Sequence, residues 1–128
     1  MDKRKSVPKV CYICGPISGI KDYNAEAFNK AEEILTRNCD MTCFNPWKMD
    51  LADGVDPKKA TYRDVLPRDI AAIGKSDCVI VLPGWNDSKG AQFELMYARL
   101  LGLPVYSLEE FRAEYAQQGC DEEVQHGN

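Results

Sequence analysis

The stretch Ser76–Val105, SDCVIVLPGWNDSKGAQFELMYARLLGLPV, decides the fold of this chain. It begins with an apolar run at 78–82 that is rich in β-branched residues and too short for a typical helix, which predicts a buried strand. A polar, turn-rich loop follows. A helix is predicted from Ala91 to Leu101, because Gly102 and a nearby proline end it. Another strand starts after that proline, so the stretch is a strand–loop–helix–strand unit.

The rest of the chain repeats this alternation of strands and helices. The apolar runs predict strands at residues 9–14, 41–44, 78–82 and 104–107. The segments between and after them predict helices at about residues 24–37, 61–75, 91–101 and 108–117. Such alternation favours a Rossmann-like or flavodoxin-like three-layer α/β/α sandwich with a parallel sheet of four to five strands. A strand order of 2-1-3-4 would place the topological switch between the first and third strands.

Three local features qualify this prediction. Asn24 is a suitable cap for the first helix. Pro67 interrupts the helical pattern of residues 61–75, so that helix either begins near the proline or kinks there. Residues 48–60 carry Asp, Gly, Pro and Lys without periodicity, which indicates a loop or lid beside the site.

Composition limits the classes of protein to which the chain can belong. With 128 residues, 45% hydrophobic and 28% charged, it is expected to fold as one domain. We expect a flexible basic leader at 1–8, the domain at 9–117 and a disordered polar tail at 118–128. The net charge of −4 argues against binding duplex nucleic acid. No segment has the apolar length of a membrane span or signal peptide, so we expect no membrane contact and a cytoplasmic location.

The six cysteines raise the question of a metal site or a disulfide. Cys11 and Cys14 form a CxxC motif, but in a strand residues three apart face opposite sides, which is poor geometry for chelation. There is no second CxxC, and the sole histidine, His126, lies in the polar tail. We therefore expect no metal, and cysteines that serve as reduced, small hydrophobic residues.

The strand order would bring two loops and one carboxylate to a single crevice. The loop Gly15–Gly19 and the loop Pro83–Gly90 would flank it at the carboxyl ends of the strands. Glu94, in the first turn of the following helix, is expected to lean back toward this crevice. Free N–H groups at residues 88–90 would favour an anion there. The alternative role for Glu94 is an ordinary one, complementing the helix dipole.

Four segments together resemble the nucleoside 2-deoxyribosyltransferase superfamily. They are YICGPISG at 12–19, RDIAAI at 68–73, SDCVIVL at 76–82 and DSKGAQFELMYA at 87–98. The superfamily includes the 2′-deoxynucleoside 5′-phosphate N-hydrolases. The pattern GPxxG…RDI…LPGWxxSxGAxxE is most similar to that of its small uncharacterised members.

The resemblance implies catalytic roles for three residues. Glu94 matches the carboxylate that attacks the anomeric carbon and forms a glycosyl-enzyme. Asp69 matches the acidic residue that orients the sugar and the nucleophile. Tyr12 matches the tyrosine that steadies the catalytic carboxylate. The implied reaction is cleavage or transfer at the N-glycosidic bond of a 2′-deoxynucleoside or its 5′-monophosphate, without a cofactor.

The resemblance and the loop positions together name the substrate-binding residues. Ser88 matches a hydroxyl that contacts the 5′-phosphate in the hydrolase branch, and Trp85 or Trp47 is a candidate to stack on the base. Asp87 matches an acidic residue near the base or sugar. The remaining candidates lie in loops that approach the ligand closely: Gly15, Ser18, Gly19 and Gly90. Relatives complete this site from a neighbouring subunit, so we expect a homodimer or higher homo-oligomer.

Two other hypotheses remain open. The first is a nucleotide-binding or sensing module that has the same fold but no catalysis. The second is a small flavodoxin-like interaction domain whose loop carboxylates are merely solvated. Fold analogy alone cannot choose among the three.

Overall fold

A computed structural model describes residues 6–121 of the chain. Its strands are β1 Val10–Cys14, β2 Thr42–Phe44, β3 Cys78–Val81 and β4 Val105–Ser107. Its α-helices are α1 Ala25–Cys39, α2 Pro46–Ala52, α3 Tyr62–Gly74, α4 Lys89–Leu100 and α5 Leu108–Glu114. Each predicted strand is present within one or two residues of its expected bounds, so the α/β class is confirmed.

The four strands form one parallel sheet in the order β2-β1-β3-β4. This is the order expected from the sequence, and it places the switch point between β1 and β3. At that point the chain leaves β1 toward one edge of the sheet and leaves β3 toward the other. A crevice is therefore open at the carboxyl ends of these two central strands.

The alternation of side chains along β1 divides the core into two clusters. Cys11 and Ile13 point to the first face of the sheet, where they pack with residues of α1 and α5. Tyr12 and Cys14 point to the second face, where they pack with α3 and α4. The two cysteines of the CxxC motif therefore lie on opposite faces, as the strand geometry predicts.

The segment that we expected to be a loop from residue 48 contains helix α2. In the sequence, this helix is indicated by its N-cap residue, Asn45, and not by a periodic pattern of apolar residues. The side chain of Asn45 accepts hydrogen bonds from the backbone N–H groups of Trp47 and Lys48, and Pro46 occupies the first helical turn. Residues 53–60 after α2 remain irregular.

The cap of α1 differs from expectation, whereas α3 begins within one residue of its predicted start. Asn24 does not cap α1, because its backbone is left-handed at φ 65° and its side chain donates to the carbonyl of Pro16. Helix α3 begins at Tyr62 and continues through Pro67. Pro67 is exposed, so water can satisfy the carbonyl that loses its helical partner.

The chain after α5 is packed where we expected a tail to begin. A short 3-10 turn at Ala116–Gln118 leads to Cys120, which is fully buried and paired in a disulfide with Cys39 at the end of α1. Our expectation of reduced cysteines is wrong for this pair, because the turn returns the chain to α1. The remaining tail, 122–128, lies outside the described residues, as do residues 1–5 of the leader.

None of the helices within residues 6–121 is long and apolar enough to cross a bilayer.

Candidate active site

A cavity of about 630 Å³ opens at the switch point of the sheet. Its walls come from the loops after β1 and β3, from α2 and the segment that follows it, and from the facing sides of α3 and α4. The lining includes Gly15, Ser18, Asp50, Tyr62, Asp69, Asp87, Ser88, Gly90 and Glu94. The two loops that the sequence analysis chose separately therefore meet at one cavity.

Glu94 forms part of the buried wall of this cavity. Helix α4 begins at Lys89, two residues earlier than predicted, so Glu94 lies in its second turn and is only 7% exposed. Tyr12 donates its hydroxyl hydrogen to Oε2 of Glu94 at 3.0 Å, and the thiol of Cys14 lies 3.7 Å from Oε1. Both donors come from β1. A carboxylate held in this way does more than complement a helix dipole.

Asp69 brings a second buried carboxyl group to the same place. It is 3% exposed, so it is not the solvated surface residue that its position beside Arg68 allowed. Arg68 donates to Oδ1 of Asp69 from Nε at 3.0 Å and from Nη2 at 2.8 Å. The two acids also affect each other's ionisation, since the pKa of Glu94 is raised by burial and also by the negative charge of Asp69. Helices α3 and α4 thus present an adjacent pair of acids to the cavity.

The surroundings of the acid pair favour the protonated form of Glu94. Burial raises the pKa of Glu94 to about 8, the negative charge of Asp69 adds to this rise, and the Tyr12 hydroxyl opposes it. Burial also raises the pKa of Asp69, while hydrogen bonding to Arg68 opposes that rise. Perturbed carboxyl groups in a cleft are typical of functional sites.

The start of α4 closes another side of the cavity. Ser88 is the N-cap, and its Oγ accepts from the backbone N–H of Ala91 at 3.2 Å. Gly90 lies under the ring of Tyr62, so closely that a Cβ at Gly90 would lie 2.9 Å from the ring. The Ser88 hydroxyl hydrogen stays available for an anion, since its oxygen is the acceptor in the cap.

Some expected binding residues lie elsewhere. Trp85 lines a second cavity, of about 1010 Å³, together with residues of α1 and α5, and it does not line the first. Trp47 packs against the core of the first face and donates its indole N–H to the carbonyl of Asp22. Gly19 is exposed outside the cavity lining, and Tyr12 reaches the site only through Glu94.

The sequence analysis missed four residues that the structure brings to the site. Arg68 stands in the RDI segment, but only its neighbour Asp69 received a role. Cys14 was treated only as part of a CxxC motif. Asp50 had no signal, because α2 lies where a loop was expected, and Tyr62 lies at the start of a predicted helix but received no role.

Within residues 6–121, no group of three or more His, Cys, Asp and Glu side chains is arranged to hold a metal ion. The acid pair is instead satisfied by hydrogen-bond donors of the protein itself.

Comparisons with known proteins give a consistent result. The family model described as "Domain of unknown function (DUF4406)" matches residues 9–107. Among solved structures, the chain is similar to 2-deoxyribosyltransferase from Leishmania mexicana, with 25% sequence identity and a TM-score of 0.55. The match covers 78% of this chain and 63% of that chain, so it spans less than two thirds of the transferase. No curated protein matches the chain.

Proposed function

Because this chain belongs to the DUF4406 family, within the 2-deoxyribosyltransferase-like superfamily, we propose that it breaks the N-glycosidic bond of a 2′-deoxynucleoside or its 5′-monophosphate. The observation that carries this proposal is the buried carboxyl group of Glu94 in the cavity wall, held by Tyr12, with Asp69 in the lining of the same cavity. A fixed carboxylate is the group required to stabilise or capture a sugar cation.

The proposed reaction uses Glu94 as the nucleophile. An oxygen of Glu94 bonds to the anomeric carbon while the bond from that carbon to the base nitrogen breaks. The base leaves with the bonding electron pair and takes up a proton. Water then attacks the same carbon and releases the sugar, or a second base does so and gives transfer. Asp69 stabilises the positive charge that develops on the sugar.

The walls of the cavity suit the rest of such a substrate. Ser88 and the first turn of α4 present a hydroxyl and backbone N–H groups to the cavity. These groups favour a 5′-phosphate and make the monophosphate our preferred substrate. Asp87, Ser18 and Gly15 also line the cavity, where they can contact the sugar or base. The substrate is expected to be small, consistent with a volume of about 630 Å³.

One observation favours a second function, the binding of an intact nucleotide without turnover. The raised pKa of Glu94, about 8, leaves its carboxyl group mostly protonated at neutral pH. A protonated carboxyl group is a poor nucleophile. Base release and nucleotide binding must therefore be measured separately.

The test is a base-release assay with a panel of 2′-deoxynucleosides and their 5′-monophosphates at several pH values. Glu94→Gln keeps the size of the side chain and removes its negative charge, and we expect base release to fall at least about a thousandfold. Glu26→Gln, an exposed substitution in the first turn of α1, is the matched control and should keep full activity.

Two outcomes contradict the proposal. If Glu94→Gln releases base at the wild-type rate, Glu94 is not the nucleophile. If no compound in the panel loses its base and nucleotides still raise the melting temperature, the binding module is the correct function.

A further inference from the structure

The guanidinium group of Arg68 connects helix α2 to the buried acids. While Nε and Nη2 contact Asp69, Nη2 also donates to Oδ1 of Asp50 at 2.6 Å. Nη1 donates to Oδ2 of Asp53 at 3.1 Å. Asp50 is in α2 and Asp53 ends it. One side chain therefore contacts three carboxylates, two at the end of α2 and one in the cavity wall.

Helix α2 and the segment after it form one wall of the cavity, which we call the roof, residues 46–60. Four of its residues line the cavity: Pro46, Asp50, Pro57 and Ala60. The start of α2 is attached to α1, where Lys48 pairs with Glu32 at 3.1 Å. The end of α2 is attached to α3 through Arg68. Arg68 is thus the contact through which the acid pair and the roof affect each other.

The hydrogen-bond donors that contact Asp69 and Glu94 differ in charge. Asp69 faces the positive charge of Arg68, whereas Glu94 faces two neutral donors, the hydroxyl of Tyr12 and the thiol of Cys14. Two buried carboxyl groups in the wall of one cavity repel each other when both are charged, which favours a proton on one of them. A charged donor stabilises a carboxylate more than neutral donors do. The proton therefore belongs on Glu94 as long as Arg68 stays in place.

We propose that Arg68 is a positioning residue that decides which of the two acids carries a proton, keeping Asp69 charged and Glu94 protonated, and that Asp50 and Asp53 of the roof hold it in that position. This inference depends on the proposed function only for the role of Glu94 as nucleophile. The distribution of the proton is a property of the protein without substrate and can be measured without any reaction.

Other titratable groups that face the pair do not replace Arg68. They are Tyr12 and Cys14 from β1, Asp50 and Asp53 from α2, and Asp87 and Lys89 at the mouth of the cavity. Burial raises the pKa of Asp69, and the hydrogen bonds and charge of Arg68 are the largest effects that lower it. Within residues 6–121, Asp69 forms its ion pair with Arg68.

The first experiment is a carbon-13 NMR titration of protein labelled at the side-chain carboxyl groups of Asp and Glu. In the wild type, Asp69 should lose its proton at a lower pH than Glu94, which should titrate near pH 8. In Arg68→Gln, the titration at high pH should move from Glu94 to Asp69. Arg63→Gln removes the same charge from an exposed position of α3 and should leave both titrations unchanged.

The second experiment is amide hydrogen exchange, which tests the connection to the roof. Arg68→Lys keeps the charge but loses the planar fork that reaches three carboxylates. We expect faster exchange confined to residues 46–60, together with the wild-type order of titration. This variant also keeps the inference testable if Arg68→Gln does not fold.

The outcomes separate this inference from the proposed function. If Glu94 must be ionised to react, wild-type base release should rise about tenfold per pH unit below pH 8, and this slope should flatten in Arg68→Gln. If the titrations are as expected but no base is released, the inference on Arg68 holds and the proposed enzymatic function is wrong. The inference would be overturned if wild type and Arg68→Gln gave identical titrations. It would also be overturned if hydrogen exchange in Arg68→Lys rose equally across the whole chain.

Discussion

The two faces of the sheet are built from the same strands but contain different chemistry. On the first face, β1 and β3 pack against α1 and α5 with side chains that are almost all apolar. On the second face, the same strands pack against α3 and α4, and the two buried carboxylic acids of the described chain, Asp69 and Glu94, lie there. The difference arises within β1, where neighbouring residues point to opposite faces.

This difference shows where the fold gains stability and where it gives stability up. Apolar burial on the first face is favourable by the hydrophobic effect. Burying two acids on the second face costs free energy, which their hydrogen bonds and Arg68 only partly offset. A natural sequence departs from the rules of stability mainly where it has a function. The second face is therefore where the function is expected, and the first face holds it in place.

The largest effect is expected from Phe111→Ala on the first face. Phe111 is fully buried, with its ring 5.3 Å from that of Tyr106 and 4.7 Å from that of Tyr115. Removing the ring leaves a cavity and should lower the free energy of unfolding by about 3–5 kcal/mol, measured by urea denaturation. Phe93→Ala, the same change at a side chain that is 39% exposed on α4, should cost much less. Equal losses would break the comparison between the faces.

The next effect concerns the disulfide of the first face. Cys39 and Cys120 are separated by 81 residues, and their Cα atoms lie 5.0 Å apart. Closing so long a loop should stabilise the oxidised protein by about 2–4 kcal/mol over the reduced protein, measured by denaturation with and without a reducing agent. Cys120→Ala should remove this dependence on redox conditions. A dependence that persists in this variant would mean that other cysteines are responsible.

The fold could be predicted from the sequence because its signals are local and repeated. Short apolar runs alternating with helical segments give the order of elements, and the switch point follows from the strand order. The similarity to 2-deoxyribosyltransferase confirms the superfamily resemblance. Helix α2 was missed because it is short, and its strongest signal is the cap at Asn45 rather than an apolar stripe.

The site could be predicted only in part, for a physical reason. The positions of Asp69 and Glu94 follow from motifs, and both indeed line one cavity. The direction of a tryptophan side chain depends on which apolar surface lies nearest, so Trp85 could not be placed from its loop position. The contacts of Arg68 depend on α2, and a prediction without that helix could not contain them.

The effect expected from Glu94→Gln on the second face depends on pH, and its sign is opposite to the others. The pKa of Glu94 is raised from 4.5 to about 8 in the folded protein, so the folded state binds this proton more tightly than the unfolded chain. Its contribution to stability is complete below about pH 4.5 and is lost as the pH rises to about 8. Glutamine does not ionise. Glu94→Gln should therefore be close to the wild type near pH 5 and exceed it by about 4 kcal/mol near pH 8.5 in urea denaturation, because one unit of pKa corresponds to about 1.4 kcal/mol. Glu26→Gln should show no such dependence on pH, and a Glu94→Gln protein that gains nothing at high pH would show that the second face holds its acids without cost.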